Sequence, residues 1–101
     1  MSEKMEAVAT SEAPAALGAY SQAVKANGFV FVSGQLGIDP TTGELAGDTA
    51  GEQTAQALKN IKQILDTAGT GIEHVVRATI YMKNVEDFHE IDDVYAQTFI
   101  G

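Results

Sequence analysis

A chain of 101 residues, 45% hydrophobic and 20% charged, has the composition of one small folded domain and stands well away from the disordered regime. Fourteen acidic against six basic residues leave a formal charge of -8, with Arg77 the only arginine, so nucleic-acid and anionic-membrane binding lack electrostatic support. Without cysteine there are no disulfides, thiol nucleophiles or thiolate-bound zinc; with neither a membrane-length apolar run nor a secretory signal pattern, a cytoplasmic protein is expected.

Residues 1–12 are polar and Ala-rich, with Met5 a second candidate start, and read as a loosely held leader. A short strand is predicted from Ala19 to Val24. Asn27-Gly28 follows, the strongest local mark of a two-residue hairpin turn, so the next strand should run back antiparallel. That strand is Phe29-Val30-Phe31-Val32, an apolar, β-prone run that stops on Ser33-Gly34-Gln35. Strands end in Ser-Gly mostly because a turn follows, but the same residues also deliver a hydroxyl and an unobstructed backbone to one spot. Asp39-Pro40-Thr41-Thr42-Gly43-Glu44 is a dense turn cluster that sets a loop after this end.

Thr49 and Glu52 have capping-box spacing, after which Ala57, Leu58, Ile61, Ile64, Leu65 and Ala68 recur every three or four residues until Gly69. This predicts a helix with a core-facing stripe. From Val75 to Met82 the pattern alternates, with Val76, Ala78, Ile80 and Met82 on one face and Arg77, Thr79 and Tyr81 on the other. A strand reached through a crossover helix is expected to lie parallel to its neighbour. Asn84 is placed to cap a second helix in which Phe88, Ile91, Tyr95 and Phe99 share a face. The acidic residues from Glu86 to Asp93 fall to its solvated side, except Asp92, which shares a face with Phe88. Two amphipathic helices need a wide sheet, and only three strands are readable, so the chain is expected to lack C-terminal strands.

Generic catalytic patterns are few. His74 and His89 stand fifteen positions apart without ligand-like carboxylate spacing, which does not support a metal site. No Walker or dinucleotide pattern is present, and spacing alone argues for no triad. Arg77, on the mixed face of its strand, reads as a solvated or interface residue.

Several ordered motifs together are more specific. Ala13-Pro14-Ala15-Ala16-Leu17-Gly18-Ala19-Tyr20-Ser21-Gln22, then Phe31-Val32-Ser33-Gly34-Gln35, then Asp39-Pro40 with Thr42-Gly43, Asn60-Ile61, Val75-Val76 through Tyr81-Met82, and Asp87-Phe88 through Val94-Tyr95 closely resemble the RidA (YjgF) family. The likeness runs from about Val8 to Phe99 and makes residues 1–101 a single RidA-like domain. It implies a chorismate-mutase-like α/β (α+β) fold: a mixed β-sheet with two helices on one face, here without its C-terminal strands. It also implies a homotrimer with ligand sites between subunits. The activity implied is hydrolysis of 2-aminoacrylate- and 2-iminobutanoate-type products of pyridoxal-phosphate dehydratases to 2-keto acids and ammonia, without a cofactor of its own. Carried over by motif, Tyr20 and Ser33 are the catalytic positions, and Gly34, Phe88 and Asp92 bind substrate. Two departures stand out. Asp92 replaces the family's asparagine, and the chain is expected to lack the strands that in the family bear a carboxylate-clamping arginine and a glutamate near the attacking water. The alternative is a catalytically impaired trimeric module that binds a small molecule or a protein. A ribonuclease activity, described for some relatives, is disfavoured by the charge.

Overall fold

A computed structural model describes residues 5–16 and 21–99. Three strands, β1 (Glu6–Val8), β2 (Ala23–Ala26) and β3 (Phe29–Val32), form an antiparallel sheet in that order, followed by helices α1 (Ala50–Ala68) and α2 (Phe88–Thr98). Asn27 and Gly28 both take positive φ, 52° and 82°, and pair Ala26 with Phe29 across a two-residue turn. This turn carries β2 as far as Ala26, so the strand read as Ala19–Val24 lies later in the chain; Ala19 and Tyr20 fall outside the described residues. The supposed leader is also corrected, since Glu6, Ala7 and Val8 pair with Lys25, Val24 and Ala23. Partner strand β2 supplies the order that a polar, Ala-rich segment does not signal locally.

Alternation along β3 sorts its side chains. Val30 and Val32 turn inward onto a core of Val8, Ala13, Ala23, Ile64 and Ala68, while Phe29 and Phe31 remain 59% and 61% exposed with ring centres 6.1 Å apart. The inner face is covered by α1, and α2 packs on α1. Helix α1 starts as the capping box requires: Thr49 Oγ1 accepts from Glu52 N at 3.1 Å, and Thr49 N donates back to Glu52 Oε1 at 3.1 Å. It ends on Gly69 in the left-handed region, φ 93°.

Residues 75–82 depart from expectation. They carry strand alternation but form no ladder among the described residues, leaving Val76 and Tyr81 more than nine-tenths exposed. Alternation makes a segment fit for a sheet; a neighbour offering hydrogen bonds makes it a strand. The described sheet is therefore antiparallel throughout and has no parallel member. His74 sits in a single 3-10 turn, Ile72–His74. Asn84 precedes another such turn, Val85–Asp87, and its side chain caps neither that turn nor α2, which begins at Phe88.

Candidate functional site

The β2–β3 hairpin brings Ser33 back beside Ser21 and Gln22. Ser33 N donates to Gln22 O at 3.0 Å, extending the ladder by one residue, and Ser33 Oγ donates to Ser21 O at 2.6 Å. The hydroxyl proton is thereby committed to the backbone, which leaves the oxygen's remaining lone pairs as acceptors. Gly34 is exposed, and the space a Cβ would occupy there is open. An acceptor oxygen on a half-buried strand end thus adjoins a bare, accessible peptide.

The loop that follows is held with little freedom. Gly37 is buried against α1 so closely that a Cβ would stand 2.6 Å from Gln53 Cα and collide with Gln53 O. Asn60, with no exposed surface, donates from Nδ2 to Leu36 O at 3.2 Å and Ile38 O at 2.9 Å; its Oδ1 accepts from Gln56 Nε2 at 2.8 Å. Further along, Asp39 Oδ1 accepts from Thr41 N at 2.8 Å and Thr41 Oγ1 at 2.7 Å, and these bonds hold its carboxyl below the usual range. Upstream, buried Gln22 accepts from Thr10 N at 2.6 Å and donates to the carbonyls of Thr10, Ala13 and Pro14, pinning the segment that leads toward Tyr20. Tyr20 itself lies outside the described residues.

Phe88 opens α2, 49% exposed, with its ring edge-on to His89 at 5.7 Å between centres. Asp92 lies one turn on and is exposed. Between them Glu90 is exposed, as expected of the acidic face, and also accepts from Gly51 N at 2.8 Å through Oε2, where it meets the positive end of α1. Gly51 leaves room for that carboxylate, since a Cβ would stand 2.6 Å from Oε2. Ser33 with Gly34, and Phe88 with Asp92, are thus two local pairs on different elements. No hydrogen bond joins one pair to the other among the described residues.

Gln22, Asn60, Gly37 and Glu90 had no site-building role in the sequence reading. Only Asn60 carried a local signal, a polar residue three after Ala57 and four before Ile64, on the apolar stripe itself.

A three-stranded antiparallel sheet backed by two helices, with a Ser-Gly strand end clamped at its edge, places the protein in the α+β class with the L-PSP/Rid fold. The family model described as Endoribonuclease L-PSP matches residues 10–101, and the chain belongs to that family, the one its motifs resemble as RidA. A RutC family protein of Pyrococcus horikoshii is 45% identical over 94 residues, 93% of this chain and 75% of that protein. The 2-iminobutanoate/2-iminopropanoate deaminase of Rattus norvegicus is 43% identical over 93% of this chain and 69% of its own length. Among solved structures, an L-PSP-type protein of Entamoeba histolytica superposes with a TM-score of 0.94 at 42% identity, covering 97% of this chain and 78% of that one. No helix among the described residues is long and apolar enough to cross a membrane.

Proposed function

We propose that this chain carries the deaminase site of its family and hydrolyses small 2-imino or enamino acids to 2-keto acids and ammonia. The observation that carries the reading is the Ser33 hydroxyl, whose proton is committed to Ser21 O at 2.6 Å beside the open Gly34 peptide. Support also comes from the rat relative named for this reaction. Water adds to C2 of the iminium as one of its protons leaves. The resulting carbinolamine transfers its hydroxyl proton to nitrogen and expels ammonia as the C2 carbonyl forms. The oxidation state of C2 is unchanged, so the step needs no redox partner. Ser33 Oγ accepts a hydrogen bond from the water or the imine N–H, Tyr20 supplies a second hydroxyl, Gly34 offers its backbone, and Phe88 walls the small side chain.

The same reading makes the assembly a cytoplasmic homotrimer. One chain leaves Ser33-Gly34 and Phe88-Asp92 without a hydrogen-bonded link between them, and the outer sheet face presents Phe29, Phe31 and Met5, all more than half exposed. Such an apolar face calls for a partner, and a second and third copy covering it would complete sites between subunits. A binding module is the second reading, favoured by one observation: Arg77, exposed on the 75–82 segment, belongs to neither Ser33-Gly34 nor Phe88-Asp92, so within residues 1–101 these pairs hold a carboxylate without an arginine. Ammonia release from 2-aminoacrylate, generated in the cuvette by a serine dehydratase, separates the two. Release above the spontaneous rate supports the deaminase. Saturable binding without release supports the module, and salt-sensitive cleavage of RNA would replace both.

A further inference from the structure

The loop after Gly34 lies along two turns of α1 on a strip of three amides. Gln53 Nε2 donates to Gly47 O at 3.1 Å, and the backbone of Gln53 abuts Gly37. One turn on, Gln56 donates to Asn60, and Asn60 donates to the carbonyls on either side of Gly37. Asn60 and Gln22 are the only buried polar side chains among the described residues. A buried amide stabilises a fold little compared with a well-packed aliphatic side chain, and its bonds demand one geometry. Asn60 in particular works in only one orientation. Both its N–H donors must face the loop, and the Gln56 donor, by claiming Oδ1, selects that orientation.

We propose that the Gln56–Asn60 pair is a positioning device for the Ser33-Gly34 peptide: Gln56 sets the sense of the Asn60 carboxamide, and Asn60 fixes the loop that leaves Gly34. The proposal rests on the reading of Ser33-Gly34 as the site. Neither residue touches substrate; both act through the Leu36–Ile38 backbone.

Gln56→Glu tests it with almost no change in shape. At neutral pH the introduced carboxylate can only accept, so Asn60 must turn its NH2 toward it and present Oδ1 to the carbonyls of Leu36 and Ile38. Below the ordinary carboxyl range, about 4.3, the acid is protonated and donates again. On α1, Glu52 lies one turn before this position and Lys59 three residues after it, with Asp39 of the loop near Lys59. They are present in both proteins, so the difference between variant and wild type reads the introduced group. The readout is the amide NMR signals of Gly34 and Gly37, with Gly28 and Gly69 as references, together with kcat and KM for 2-aminoacrylate at pH 7.

The expected result is displacement of the Gly34 and Gly37 signals at pH 7, their return by about pH 3.5, and unmoved references. In turnover, kcat falls about tenfold or more with KM changed far less. Asn60→Leu should displace the same two signals at every pH, and Gln56→Ala should displace them less, with no rescue by acid. Unmoved Gly34 and Gly37 signals overturn the proposal. So does joint movement of all four, or unfolding of every variant, because the pair would then serve the fold as a whole. If wild-type protein releases no ammonia, the deaminase reading fails by itself, and the glycine signals still decide whether the pair positions the peptide.

Discussion

Replacing Ser33 with alanine separates the two tasks of its hydroxyl. In the fold, the substitution removes one bond, Ser33 Oγ to Ser21 O at 2.6 Å, and keeps the backbone bond from Ser33 N to Gln22 O. Such a neutral bond contributes about 0.5–1.5 kcal/mol net, and Ser21 is only half-buried, so water can reach the abandoned carbonyl. The expected loss is about 1 kcal/mol, a fall of about 4–8 °C in Tm for a domain of this size. It should be measured by urea unfolding at one fixed protein concentration, because self-association would add its own stabilisation. In the site, losing the acceptor should lower kcat/KM by about ten- to hundredfold, the equivalent of one good hydrogen bond to the reacting system. Ser33→Thr, which keeps the oxygen, should recover most of the stability. A loss below about 0.3 kcal/mol would show that the hydroxyl is not held by Ser21. A loss above about 3 kcal/mol with unchanged kcat/KM would make Ser33 a strand-end fastener and refute its place in the site.

Gly37→Ala should destabilise by about 1–3 kcal/mol or more in chemical denaturation, because the obstructing atoms belong to the α1 backbone at Gln53 and cannot swing aside. The backbone and side-chain bonds of Thr49 hold the Glu52 carboxyl below its ordinary range. The stability this contributes is present above the unfolded value and is lost as pH falls through the lowered folded one. Thr49→Val should therefore flatten the acid limb of a stability–pH curve recorded from pH 6 to 2.5. If the proposed trimer forms through the outer sheet face, Phe31→Ser should shift sedimentation toward monomer while leaving helical circular dichroism unchanged. Asp92→Asn removes a like charge from the approach of a carboxylate substrate and should lower KM with little change in kcat; an unchanged KM would place Asp92 outside the site.

Local chemistry made much of this molecule readable in advance. Asn27-Gly28, the Thr49–Glu52 box and Gly69 each carry their conformation within four residues, so the hairpin and the limits of α1 followed from the chain itself. What failed depended on distant partners. Residues 75–82 have the pattern of a strand without a described neighbour to make them one, and Glu6–Val8 have a neighbour without the pattern. Glu90 is indistinguishable by type from the acidic residues around it, and only the approach of α1 turns it into a cap on Gly51. The site residues came from ordered motifs, whereas the amides that hold their backbone are ordinary Gln and Asn until the loop is laid over them.

The stretch from Ala78 to Met82, unpaired among the described residues, has a consequence for handling the protein. Its five residues carry no charge, proline or glycine and centre on the β-prone Thr79-Ile80-Tyr81, the kind of window that stacks into intermolecular cross-β, and Ala78 to Tyr81 stand exposed. Arg77 and Lys83 bracket the window, two of only six basic residues in a chain of net charge -8. Placed there they act as gatekeepers, because stacking copies in register would pile like charges at both ends of every strand. High salt screens that repulsion, so the protein should keep better in dilute buffer than in the concentrated salts often used to preserve proteins.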